Sequence, residues 1–190
     1  MACLNIGGMS RPLLHLIALL LLALTACTAT AADVPTTVRT IDARQGHFEA
    51  RVVRVVDGDT FVARRVGQSS SVRVRIIGID APETVRPNTP PQCWGAQAAT
   101  LTKQLLPRGA SVQAAYERGG RTDRFGRDLW DVWLADGRFL AAELVTAGAA
   151  RAYRVRPQTA YAAALADLAD DARRAHKGLW GPPCNGRSSA

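Results

Sequence analysis

The stretch that decides the fold runs Val55-Val-Asp57-Gly-Asp59-Thr60, continues as Phe61 to Val66, and resumes as Val72 to Ile79 before ending in Asp80-Ala81-Pro-Glu83. β-Branched residues lead into and out of Asp57-Gly58-Asp59. The two apolar runs are separated by Gly67-Gln-Ser-Ser-Ser71, which is hairpin punctuation. If Thr60–Val66 and Val72–Ile79 pair antiparallel about Ser69, partners sum to roughly 138 or 139, which sets Asp59 opposite Asp80. Two carboxylates at one sheet end repel unless a cation lies between them or one is protonated, so this stretch predicts a metal site. Turn formation alone also explains each aspartate taken singly.

Working outward, Phe48 to Val56 reads as a first strand and the hairpin supplies two more. Val85 to Gln92 holds Pro87, Pro90 and Pro91 and reads as a loop. Ala98, Leu101 and Leu105 place a helix over Trp94–Leu106, ended by Pro107-Arg-Gly109. Ser111–Glu117 and Asp128–Leu134 are strands, with turns at Gly119-Gly120 and Asp136-Gly137. Phe139–Ala147 is a short helix, Ala149–Val155 extended chain, and Thr159–His176 a longer helix with Gly178 as its expected C-cap. Five strands with a helix between the third and fourth, and three helices in all, predict an α+β protein. Its centre is a five-stranded Greek-key β-barrel of the OB type.

The ends of the chain have a different character. Arg11 followed by the apolar run Leu13–Leu24 is too short to span a bilayer and suits a signal peptide over residues 1–26. Leu24-Thr-Ala-Cys27 resembles a bacterial lipobox, which makes Cys27 a lipidation site. Cleavage after Ala31, giving a secreted soluble protein, is the alternative. Residues 27–46 then form a tether, 47–184 one domain and 185–190 a tail. The expected location is the periplasmic or outer face of a membrane, reached through a lipid anchor.

A formal net charge of +8, carried by 24 Lys and Arg of which only Lys103 and Lys177 are lysine, points to a polyanionic partner. Nucleic acid, acidic polysaccharide and an anionic membrane face all satisfy that charge. Cys93 and Cys184 are left over once Cys3 and Cys27 fall to the leader and lipobox. In an oxidising compartment they are expected to pair, with two free thiols as the alternative. Neither they nor His15, His47 and His176 show a zinc spacing.

Two constellations carry chemistry. Asp59, Asp80 and Glu83, with a main-chain carbonyl at Ala81-Pro82, form half a shell of hard oxygens suited to calcium or magnesium. Arg75 lies inside an apolar strand, and Arg121-Thr-Asp123-Arg124-Phe125-Gly-Arg127 supplies further guanidinium groups; two converging arginines stabilise charge on a phosphate. Strict alternation puts Arg75 and Asp80 on opposite faces, so a bulge at Gly78 is needed to bring them together.

Val-Asp57-Gly-Asp59-Thr, Arg75-Ile-Ile-Gly-Ile-Asp80-Ala-Pro-Glu83-Thr, Arg121-Thr-Asp123-Arg-Phe-Gly-Arg127 and Lys177-Gly-Leu-Trp180 together resemble the staphylococcal nuclease (thermonuclease) family from about Ala50 to Trp180. That resemblance implies an OB-type barrel with three helices and calcium-dependent hydrolysis of DNA and RNA to 3′-phosphate ends. It further implies that Asp59, Asp80 and the Ala81 carbonyl bind Ca2+, that Arg75 and Arg127 clamp the phosphate, and that Glu83 activates or orients water. Asp57 and Thr60 would support these residues, and Arg124, Phe125 and Tyr153 would contact substrate. The family's type member has threonine at Ala81, and lysine and tyrosine at Arg124 and Phe125. The expected enzyme is a monomer; a non-catalytic nucleic-acid-binding barrel and a polysaccharide-binding envelope protein are the alternatives.

Overall fold

The computed structural model describes residues 47–84, 90–116, 122–153 and 160–187. The expected signal peptide, Cys27, the tether, the Gly119-Gly120 turn, Arg121 and the start of the expected long helix at Thr159 lie outside them. Strands β1 (His47–Asp57), β2 (Thr60–Arg65), β3 (Val72–Ile76), β5 (Ser111–Tyr116) and β6 (Asp128–Leu134) close a barrel in the order β1-β2-β3-β6-β5. β3 and β6 are parallel and the other neighbours antiparallel. Helix α1 (Gly95–Leu105) is inserted between the third and fourth barrel strands, α2 (Leu140–Thr146) and α3 (Ala162–Arg174) follow the barrel, and a 3-10 turn spans Gly178–Trp180. The predicted five-stranded OB-type barrel with three helices is the fold observed.

The barrel closes because alternate residues of each strand are apolar and meet at its axis. Ala50, Val52, Phe61, Ala63, Val74, Ile76, Val112, Ala114, Trp130 and Val132 are all buried there. Phe48, Phe61 and Tyr116 contact Trp130 edge-on, with centroids 4.9 to 6.2 Å apart. Emptying such a position, as in Phe61→Ala, is worth about 3–5 kcal/mol of stability. A second aromatic group, Trp133, Phe139 and Tyr161, joins the barrel to α2 and α3.

Two expectations are corrected. The β2–β3 register pairs Thr60 with Arg75 and Phe61 with Val74, three to four residues from the predicted alignment, because β3 ends at Ile76 rather than Ile79. Gly78 turns the chain at φ 77°, and Ile79–Asp80 (β4) pairs instead with Arg151–Ala152 (β7). The bulge expected at Gly78 is thus a full turn into a second, two-stranded ladder.

Gly178 does not cap α3. His176 takes the left-handed position at φ 50°, and the Lys177 and His176 N–H groups donate to the Ala172 and Arg173 carbonyls, a Schellman ending. Gly178 answers a different need: a Cβ there would meet the Gly148 carbonyl oxygen at 2.3 Å, so two backbones pass where neither can carry a side chain.

Candidate active site

The site begins at the β1–β2 turn. Asp57 is buried and fully engaged. Its Oδ1 accepts from Gly58 N and Thr84 Oγ1, both at 2.8 Å, and its Oδ2 accepts from Thr84 N at 3.1 Å. It therefore ties the turn to the segment after Asp80 and has little capacity left for a ligand. Gly58 makes the close approach possible, since a Cβ would lie 2.6 Å from the Ala81 Cβ and 3.1 Å from the Ala98 Cβ. From α1, Thr102 Oγ1 donates to the Gly58 carbonyl at 2.7 Å and fixes the turn from below.

Asp59 faces the other way. Its Oδ1 accepts from Thr60 Oγ1 at 2.8 Å and its Oδ2 from Ala81 N at 3.0 Å. Arg75, which pairs with Thr60 across the sheet, sends Nη2 to within 3.1 Å of Asp59 Oδ2 and 3.3 Å of Asp80 Oδ1. Asp59 and Asp80 thus converge as predicted, though by the turn at Gly78 and not by cross-strand pairing. Loss of hydration raises the Asp80 pKa above the ordinary carboxylate value; Arg75 opposes the rise, the Asp59 charge adds to it, and Arg151 opposes it.

Arg127 arrives from the loop before β6. Asp123 Oδ2 accepts from its Nε at 2.7 Å, and Asp123 Oδ1 accepts from the backbone N–H groups of Phe125 and Arg127 at 2.9 and 3.0 Å. Burial pushes the Asp123 carboxyl up, but these hydrogen bonds and the Arg127 charge outweigh it and hold it below the usual range. Arg127 Nη1 donates to Thr60 Oγ1 at 3.2 Å, completing the chain Arg127–Thr60–Asp59–Arg75–Asp80.

These groups line a cleft of about 450 Å³ that also takes in Asp57, Ala81, Glu83, Arg73, Arg124 and Phe125. Tyr153 stands on an adjoining cleft that shares Arg75, Asp80, Arg124 and Arg127, and both Tyr153 and Phe125 are exposed rings. Asp59, Arg75, Asp80, Ala81, Glu83, Arg124, Phe125, Arg127 and Tyr153 therefore all lie in one or other of two joined clefts, while Arg121 lies outside the described residues. The expected disulfide is present, with Cys93 and Cys184 bonded across 91 residues of sequence.

The donor set fits a hard cation. Asp59 Oδ2 and Asp80 Oδ1 both face the point held by one guanidinium nitrogen, and all the donors are oxygen. No group of three or more His, Cys, Asp or Glu is gathered as a metal cage among the described residues. Asp59 and Asp80 alone therefore offer half a shell of carboxylate oxygen.

Several supporting residues escaped the sequence reading. Gln92 clips the Glu83 backbone from both sides, its Oε1 accepting from Glu83 N and its own N–H donating to Glu83 O, each at 2.8 Å. Nothing in its sequence neighbourhood signals this. Asp123 was legible as the start of an Asx turn before Gly126, which would have identified it as the holder of Arg127. Thr84 and Thr102 act from segments remote in sequence and left no local sign.

The profile described as "Staphylococcal nuclease homologue" matches residues 73–182. The chain is 37% identical over 130 residues to the thermonuclease of Staphylococcus hyicus, covering 68% of this chain and 74% of that one. It is 39% identical over 129 residues to the thermonuclease of Staphylococcus intermedius, with the same coverage. It is 34% identical over 128 residues to the SPbeta prophage-derived endonuclease YokF of Bacillus subtilis, covering 67% of this chain and 42% of that one. With the barrel, the matched span and these relatives in agreement, the chain belongs to the staphylococcal nuclease family.

Proposed function

We propose that this member of the family, a nuclease, hydrolyses phosphodiester bonds of DNA and RNA without sequence preference, requires Ca2+ and leaves 3′-phosphate ends. The observation that carries the reading is the single network joining Arg75 and Arg127 to Asp59 and Asp80 in a cleft that also holds Glu83. Asp59, Asp80 and the Ala81 carbonyl would hold the calcium, whose charge, when bound, offsets negative charge on the phosphate and orients water. Arg75 and Arg127 bind the phosphate oxygens and stabilise the charge added when water attacks. Glu83, held through Gln92, accepts or directs the water proton. Arg124, Phe125 and Tyr153 line the approach, where an exposed ring can stack on a base.

The enzyme is proposed to act outside the cytosol, as a monomer anchored through lipid on Cys27. The Cys93–Cys184 bridge supports an oxidising compartment. Mass spectrometry of the N-terminal peptide from the producing cell tests the anchor: an acylated Cys27 is expected, and a free N-terminus beyond Ala31 overturns it. For the activity, the purified protein is incubated with single-stranded and duplex DNA and with RNA, first with calcium and then with excess chelator. Cleavage with calcium only, giving fragments that phosphatase converts to 3′-hydroxyl ends, is expected. Binding without cleavage refutes the enzyme reading, and cleavage that survives the chelator refutes the calcium requirement.

A further inference from the structure

Arg75 is not alone on its face of the sheet. β1, β2 and β3 lie side by side, and their outward residues form rows across the three strands. The row at the cleft holds Asp57, Thr60 and Arg75. The next holds Arg54 and Arg73, both paired with Val62. The one beyond pairs Arg51 directly with Arg64. Alternate residues on a strand are about 6.6–7 Å apart, so each row steps that far from the cleft.

A register shift between Val52 and Arg54 makes this possible. Arg51 and Arg54 are three apart and would otherwise face opposite ways, yet both are exposed on the outer surface. Arg108, from the loop after α1, joins Arg51, Arg64 and Ser71 around a further cleft of about 420 Å³. Arg73 lines the catalytic cleft as well, so the basic surface is continuous with the site.

Like charges placed directly opposite on a sheet are destabilising, and Arg51–Arg64 is such a pair. Arg51 is relieved by Glu49 at 3.3 Å, the one acidic side chain ion-paired with these arginines among the described residues. Among the described residues Arg54, Arg64, Arg73 and Arg108 make no ion pair. Five guanidinium groups gathered around a single carboxylate is an arrangement that a bound polyanion neutralises. Continuity with the cleft through Arg73 selects the polyanion that already passes through that cleft.

We infer that the outer face of β1–β2–β3, carried by Arg51, Arg54, Arg64, Arg73 and Arg108, is a track for the nucleic-acid backbone extending away from the cleaved bond. This inference rests on the nuclease reading for its ligand. Phosphates bound along the track raise affinity for long strands and add salt dependence, without sequence preference.

The test compares the full chain with the triple variant Arg51→Gln, Arg64→Gln, Arg108→Gln, all exposed positions outside the catalytic cleft. Binding of a labelled oligothymidine of about 20 nucleotides is followed by anisotropy in chelator across a salt series. The variant is expected to bind about tenfold more weakly, with a salt slope shallower by about 2, as three lost contacts on a single strand predict. With calcium present, the ratio of kcat/KM on that strand to kcat/KM on a dinucleotide is expected to fall about tenfold through KM. Unchanged affinity and slope overturn the track. So does a variant that loses binding to phosphatidylglycerol vesicles while oligothymidine binding stays as before, which would assign the face to a membrane. If wild type cleaves nothing, the nuclease reading fails on its own, and the anisotropy series still decides the surface.

Discussion

The floor and the rim of the catalytic cleft are built on different principles. The floor residues Asp59, Thr60 and Arg75 stand on or beside barrel strands whose inward neighbours, Phe61, Val74 and Ile76, are fully buried, so their positions are fixed by the packing of the whole domain. The rim, Arg124 to Arg127, hangs on one carboxylate, Asp123, which accepts three hydrogen bonds from it. Damage to the floor should therefore reach stability and activity together, whereas damage to the rim should reach activity alone.

The largest effect is expected from Arg75→Ala. It removes the proposed phosphate ligand and leaves Asp59 and Asp80 facing each other without their shared guanidinium, so kcat/KM on DNA should fall by about 10²–10³ or more. Initial rates at saturating calcium check it. Gly58→Ala attacks the floor through packing: the new methyl meets Ala81 and Ala98, and thermal denaturation should show a loss of about 1–3 kcal/mol with a parallel loss of activity. A rim-like result, with activity lost at unchanged stability, would break the distinction.

On the rim, Asp123→Asn keeps the shape of the turn but loses the charge that holds Arg127, and about a tenfold fall in kcat/KM with little change in melting temperature is expected. The same substitution carries a pH signature. Because Asp123 titrates below the ordinary carboxylate value, its stabilising contribution is complete above the unfolded pKa of about 3.9 and is lost as pH falls through the folded one. The gap in melting temperature between wild type and variant should be small but constant at neutral pH and close in that acid window. The smallest effect belongs to Phe125→Ala, where losing an exposed ring should raise KM a few-fold through lost base stacking, worth about 1–3 kcal/mol per base at most.

The same contrast explains what could be read from the sequence. Strands followed from apolar, β-branched runs bounded by turn residues, and helices from apolar spacing. The candidate site residues were legible because their types are unusual where they occur: an arginine between Val74 and Ile76, and acids at two turns. Register was not legible. A six-residue connection between Arg65 and Val72 fixes no unique pairing, and the end of β3 at Ile76 depends on β4 finding β7, a partner some 70 residues away. The convergence of Asp59 and Asp80 was thus foreseen for an incomplete reason. The misassigned cap at Gly178 has the same origin, since that glycine is required by a distant backbone at Gly148 and not by the helix it follows.

The bridge between Cys93 and Cys184 has a consequence for how the molecule withstands proteases. It closes the chain into a covalent ring that contains Asp123 and Arg127, while Asp59, Arg75, Asp80 and Glu83 all precede Cys93 on the stem. A single cut anywhere within the ring yields two polypeptides that remain one molecule, with the arginine of the rim still fastened to the piece that carries the carboxylates. The protein can in this way be nicked without losing half of the cleft.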